Sequence, residues 1–334
     1  ARDYVLGCTA LRVGAGEVCL ITDHRILPLS WTRDAYWQAA LLLTGPAPAL
    51  DVVAAHLRWL WHRCERPGGL WMRSHRPNGA VKDAVLQADQ QLYPLLELLD
   101  YVRAAGEPPG PAGRWRRRVE ELWAALPIGA EGLIRSDENP ADDRAELPFP
   151  LSSQILLWHV ATRLAGCGLV DGAAAARTAA AVERHFTVEG PLGRQWAYEV
   201  DARGGHRLYH DANDLPTALA PLLGFCPATD PAWSATMRFA LSGYNPAWNP
   251  GPWGGLGSLH TPGTWTLGDI QEWVAMGLLG ERERSERALE RLVAVARPDG
   301  LLPEAYDPET GAEPVRRWFA WPGAALGALL TLAT

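Results

Sequence analysis

Lysine is nearly absent from this chain: Lys82 stands alone, and every other one of the 31 basic residues is arginine. That excludes a Walker-A loop and a Ser-x-x-Lys nucleophile, and leaves one candidate for Schiff-base chemistry. Paired cysteines are missing too. Cys8, Cys19, Cys64, Cys167 and Cys226 are odd in number and widely spaced, with no Cys-x-x-Cys, so neither a disulfide framework nor a zinc site is expected. The expectation is buried thiols in a reducing compartment, hence a cytoplasmic protein. A removed leader stays open, because the chain starts Ala1-Arg2-Asp3 without methionine. No apolar run is long enough for a membrane span, so no membrane partner is expected. A formal net charge of −7 provides no basic field for a nucleic-acid backbone, and nucleic acid is excluded as a partner. HExxH, the EF-hand loop and GxSxG are absent, and Cys19 breaks a GxGxxG after Gly14-Ala15-Gly16. The nine histidines are scattered, so neither a metal nor any other cofactor is expected.

What is present is material for a core and an excess of indole. Hydrophobic residues make up 48% of 334, and tryptophan occurs 16 times against 8 tyrosines and 5 phenylalanines. Indole is costly to bury because its N–H needs a partner. Two readings stay open: bulky packing, or a pocket that stacks flat apolar faces such as sugar rings.

Apolar spacing predicts helices over 34–44, 50–64, 81–104, 114–125, 152–166, 171–186, 214–223, 231–241, 267–279, 282–296 and 319–332. Gly106 and Gly280 read as stop signals. Val5-Leu6 and Val18–Ile21, flanking Gly14-Ala15-Gly16, predict a short N-terminal β-hairpin. Between the helices lie Gly-, Pro-, Trp- and Asp-rich connections at 66–80, 127–150, 188–213, 242–266 and 297–318. Connections that long without structure of their own are usually functional or disordered, and Trp and His among the glycines speak against disorder. The pattern fits an all-α toroid of helical hairpins, one domain over 1–334, with its long loops gathered as a binding face. No TPR or HEAT repeat is visible.

The remaining chemistry is carboxylates beside aromatics and arginines: Trp31-Thr32-Arg33-Asp34, Ser136 to Asp143, Tyr209 to Asp214, and Leu302 to Tyr306. Asp34, Asp211 and Asp214 each sit at a helix edge, where a carboxylate commonly caps or meets the dipole. The alternative is glycoside hydrolysis, which needs a protonated and an ionised carboxyl facing each other across the scissile bond. A separation of roughly 6.5–9.5 Å gives inversion and about 5–5.5 Å retention. Asp211 and Glu304, on different long connections, fit as that pair.

Several ordered segments resemble glycoside hydrolase family 125, the metal-independent exo-α-mannosidases. Ile21-Thr22-Asp23 through Trp31-Thr32-Arg33-Asp34 is similar to the family's "ITGDI…WLRDS". Ser136 to Asp143 with Phe149-Pro150-Leu151-Ser152-Ser153 resembles "SGFRPSDDA…YLIPSN". Tyr198-Glu199-Val200-Asp201 leading to His210-Asp211-Ala212-Asn213 resembles "YEVDGFGN…DDANVPSLL". Gly255 to Thr261 resembles "GIGSPHT", and Glu304 with Arg316 to Trp321 resembles "HESF…TRKWFAW". The resemblance implies an (α/α)6 barrel and an inverting exo-glycosidase without metal, acting on a terminal α-linked hexose, mannose first. It implies Asp211 as general acid and Glu304 as general base. Trp31, Arg33, Asp34, Asp142, Asp143, His210, Asn213, Asp214, Trp253, His260, Thr261, Arg316 and Trp318 are the substrate-binding candidates. The chain departs from the pattern at His210, where the family has Asp, at Pro303 and Ala305 around the base, at Gln87 and at Leu259. An α-glucosidase-type activity on the same barrel and a non-catalytic sugar-binding protein are the alternatives.

Overall fold

Side chains spaced three and four apart build helices throughout the computed structural model, which describes residues 1–44, 48–312 and 314–332. The chain divides into two compact units: Ala1–Leu126 with Arg163–Val170 and Trp318–Thr334, and Pro127–Thr162 with Asp171–Arg317.

In the first unit the helix Thr32–Leu43 packs against the helices Asp89–Ala105 and Ala320–Leu332. It buries Ala35, Trp37, Ala39, Leu41 and Leu42. Asp89–Ala105 carries Pro94 in its interior, which deprives the Gln90 carbonyl of its usual N–H partner. Thr32 Oγ1 donates to that carbonyl at 2.8 Å instead. The helix ends at Gly106, with φ of 83°, as its glycine predicts.

Two expectations in this unit need correction. The N-terminal hairpin forms, but its first strand is Ala10–Gly14, paired with Glu17–Leu20, rather than Val5-Leu6. A tight turn at Ala15-Gly16 demands the strand immediately before it, and Val5–Thr9 coils helically instead. The helix expected from residue 81 begins at Asp89. Val81–Asp83 pairs with Ser74–His75 across the turn at Asn78-Gly79. A Cβ on Gly79 would meet Arg63 O at 2.7 Å, so only glycine fits there.

The second unit holds the helices Ala173–Phe186, Pro231–Ala240, Thr266–Leu278 and Arg282–Val295. The helix expected over 214–223 is cut to Leu215–Ala218. Pro221 cannot donate to the Thr217 carbonyl, and Trp233 Nε1 donates to it at 2.9 Å. A ladder of short strands runs Trp248–Asn249, Gly255–Leu256, Thr264–Trp265 and Ala305–Tyr306, with bridges at Gly257↔Thr264 and Ala305↔Val315. Close approach is what its glycines permit: a Cβ on Gly257 would lie 2.3 Å from Gly263 O. Beneath the ladder, Arg291 bridges Asp269 (Nε–Oδ1 2.9 Å) and Glu272 (Nη2–Oε2 2.6 Å). Tyr306 Oη donates to Asp269 at 2.6 Å, which anchors the strand that follows Glu304.

Candidate active site

Asp211 lies in the turn just ahead of Leu215–Ala218 and is fully buried at 0% exposure. Its Oδ1 accepts from Asn213 N at 2.9 Å and Asn213 Nδ2 at 2.7 Å, an Asx-type turn written by the local sequence. Its Oδ2 accepts from Tyr209 Oη at 2.6 Å and Ser258 Oγ at 2.7 Å. Each of those hydroxyl oxygens also accepts one backbone N–H, from Leu259 at 3.3 Å and His260 at 3.1 Å respectively. Burial, reinforced by Asp211, pushes the Tyr209 phenol far above its ordinary value. Tyr198 meets Tyr209 edge-to-face at 4.8 Å, and the Arg207 guanidinium sits 4.5 Å over the Tyr209 ring.

Asp214 stands at the N-cap position but makes no cap bond with its side chain. It accepts from Ser152 Oγ. The capping role open to it on sequence grounds is therefore not the one it takes. His210, where the family has a second carboxylate, is buried, and burial lowers its pKa below the ordinary imidazole range. Gln271 Nε2 donates to the carbonyls of Asp211 (3.1 Å) and Ala212 (2.7 Å), so its Oε1 must accept from His210 Nε2 at 2.7 Å. His210 is thus a donor that braces the turn. Asn245 pins the same residue's backbone from both sides.

Glu304 is 1% exposed. Its backbone is held between Val315 O, which accepts its N–H at 3.1 Å, and Thr266 N, which donates to its carbonyl at 3.1 Å. Arg316 Nη1 donates to Oε1 at 2.6 Å. Arg316 itself has φ of 45°, a left-handed conformation that an L side chain adopts at a cost of about 1–2 kcal/mol.

His260 extends the hydrogen bonds of Asp211. Its ring Nδ1 is 3.1 Å from Asp143 Oδ1, and that hydrogen bond raises its pKa above the ordinary value, with Asp142 adding to the effect and burial and Arg316 opposing it. Asp142 has φ of 65°, and Asn139 Oδ1 accepts from Ala141 N (2.9 Å) and Asp143 N (3.2 Å) to shape the loop tip. One hydrogen-bonded network thus runs from Asp211 through Ser258 and His260 to Asp143. Thr261 contributes a carbonyl that accepts Trp265 Nε1 at 2.9 Å. Trp253 has its ring against Gly311, and its backbone N–H donates to Pro308 O at 2.9 Å.

Trp31, Arg33, Asp34 and Trp318 belong to the first unit. Arg33 Nη1 donates to Asp89 Oδ2 at 2.8 Å and its guanidinium lies 5.0 Å over Trp321. Asp34 accepts from Thr22 Oγ1 at 2.6 Å, and Trp31 precedes the helix as its N-cap. Trp318 carries Arg25 4.9 Å over its ring. Tyr209 and Ser258 lie within motifs the sequence singles out but carry no role there, and Gln271 and Arg207 lie outside those motifs. Tyr209, two residues before Asp211, was within reach of a local reading; Ser258 and Gln271 are joined to the turn only by folding. Among the described residues, no group of three or more His, Cys, Asp or Glu side chains is placed to hold a metal ion.

The fold is that of the (α/α)6 glycosidases. A metal-independent alpha mannosidase from Streptococcus pneumoniae, solved with alpha-1,6-mannobiose in a non-productive complex, matches with TM-score 0.81 at 19% identity, over 99% of this chain and 92% of that one. A bacterial glucoamylase bound to acarbose matches with TM-score 0.69 at 14% identity, over 92% of this chain and 49% of that one. The mannosylglycerate hydrolase of Thermus thermophilus matches with TM-score 0.60 at 14% identity, covering 95% and 96%. The sequence matches the metal-independent alpha-mannosidase family, GH125, over residues 120–331, and the chain belongs to that family. Meiotically up-regulated gene 157 protein of Schizosaccharomyces pombe is 28% identical over 246 residues, 65% of this chain. The chain spans about half the length of that curated relative, 46% of it.

Proposed function

We propose that this protein is an exo-acting, inverting α-glycosidase that removes a terminal α-linked hexose, with mannose as the first candidate and residues 1–334 acting as one catalytic domain. Asp211 is the general acid and Glu304 the general base, and no metal takes part. The observation that carries the reading is a pair of buried carboxylates on two long connections of one unit of a GH125 member, Asp211 held by Tyr209, Asn213 and Ser258 and Glu304 held by Arg316. The alpha-1,6-mannobiose held by the streptococcal relative supports mannose.

Asp211 gives its proton to the glycosidic oxygen as that bond breaks. Glu304 takes a proton from a water that attacks the anomeric carbon from the opposite face, and the product leaves with inverted configuration. The surroundings of Asp211 suit a group that changes charge. Tyr209 and Ser258 each have a hydrogen to give the carboxylate, and each hydroxyl can rotate to receive the proton of the acid. The Arg316 guanidinium stabilises the negative charge that a base must carry. The unpaired thiols support an intracellular, reducing setting.

A second reading, α-glucoside hydrolysis by the same residues, is favoured by Leu259, Pro303 and Ala305, which replace the family's residues beside the acid and the base. Aryl α-mannosides and α-glucosides assayed side by side separate the two. Proton NMR of the first-formed sugar tests the mechanism: the β-anomer is expected to appear first, and initial release of the α-anomer refutes inversion.

A further inference from the structure

We propose that Glu199 is a positioning residue: it clamps the base of the loop carrying Asp142 and Asp143, and so sets where that loop meets His260 and the substrate. The proposal rests on the glycosidase reading above for its kinetics, though not for its structural readout. Glu199 is fully buried on a strand paired on one side with Phe149–Pro150 and on the other with His206–Arg207. Its Oε2 accepts two successive backbone N–H groups, Glu146 at 3.0 Å and Leu147 at 3.1 Å. Arg207 completes the clamp, 3.8 Å from Glu199 Oε2 and 3.3 Å from Glu146 Oε1.

Two adjacent N–H groups on one oxygen fix both the position and the direction of a chain, and with an ionised acceptor such bonds are stronger than neutral ones. Above the clamp the loop closes on itself. Ala145 N donates to Asp137 O at 3.0 Å, Ser136 N donates to Pro148 O at 2.9 Å, and Asn139 N donates to Asp143 O at 2.8 Å. Glu138 bridges Arg144 between them. Displacement at residues 146–147 is therefore transmitted to the tip, where Asp143 holds His260 at 3.1 Å. Arg207 also lies over Tyr209, the donor to Asp211, so one cation serves the clamp and the acid's support. The groups facing Glu199 are Arg207 and Glu146, with the Tyr198 phenol alongside. Burial raises Glu199 to about 7, so the ionised clamp is complete only above neutrality.

Two variants test this. Glu199→Gln keeps an acceptor oxygen and loses the charge; Glu199→Leu loses both. A graded rise in KM is expected, about threefold for Gln and about tenfold or more for Leu, with kcat within about twofold of the parent. The His260 titration, followed by NMR and assigned with His260→Gln, is expected to fall toward the ordinary imidazole value in the same order. This second readout needs no turnover, so it decides the clamp even if the protein cleaves none of the glycosides tried. Unchanged KM and an unchanged His260 titration overturn the proposal, and so does a fall in kcat at constant KM. Should Glu199→Leu fail to fold, the Gln variant alone decides on the same criteria.

Discussion

Asp211 and Glu304 are both buried carboxylates in the second unit, yet they are supported in opposite ways. Asp211 is surrounded by four neutral donors from Tyr209, Asn213 and Ser258. Glu304 has a guanidinium on one oxygen and a backbone held by its neighbours. The two hydroxyls among them can turn to accept as well as give, whereas the two N–H groups of Asn213 only give. A guanidinium only gives, and commits its partner to the anion. On the proposed reading, the first site, whose hydroxyls can adapt to either charge, is the proton donor and the second the proton acceptor.

The largest expected effect comes from removing the groups themselves. Asp211→Asn and Glu304→Gln are each expected to lower kcat by about 10²–10⁴-fold on a natural α-glycoside, measured by steady-state hydrolysis. Retention of parental kcat by either variant refutes that residue's role.

Arg316 offers a finer cut. Arg316→Ala is expected to lower kcat about tenfold, since it removes one charge-assisted bond to the base. Arg316→Gly loses the same bond but relieves the strain of φ 45°, so it should be more stable than the alanine variant by about 1 kcal/mol in denaturant melts. Equal stability of the two contradicts the strain argument. On the acid side, Ser258→Ala removes one of four donors, and a smaller cost is expected, about threefold in kcat and about 1 kcal/mol in stability. A loss as large as that of Asp211→Asn would mean that the serine is no mere support.

The smallest effect concerns pH. His260 has its pKa raised in the folded state by Asp143, so the pair's contribution is complete below the unfolded imidazole value and is lost as pH rises through the raised folded value. Both side chains are partly exposed, which limits the pair to well under about 1 kcal/mol. Thermal melts should show the Asp143→Asn variant less stable than the parent at about pH 5.5 and equal to it at about pH 8.5. The opposite order would contradict the sign.

Much of this was legible in the sequence wherever a local rule governs. Helical spacing located the packed helices to within a few residues, and Gly106 and the N-terminal turn punctuate as glycine should. Local rules failed where a single residue overrode the period. Pro221 shortened one helix, and the Asn78-Gly79 turn converted the start of another into a strand. Pro94 did not break its helix, because Thr32 supplies the donor it lacks. The two carboxylates stand out in the sequence as candidates by their chemistry and order. Their supports do not: Ser258 lies 47 residues from Asp211, and Gln271 lies 61 from His210, distances that only folding closes.

The dependence of rate on leaving-group acidity tests the division of labour most directly. For a series of aryl α-mannosides, loss of Asp211 should matter little when the phenol leaves easily and grow steeply as it leaves less readily, whereas loss of Glu304 should cost the same across the series. Parallel lines for parent and Asp211→Asn, or a steepened line for Glu304→Gln, would contradict the assignment.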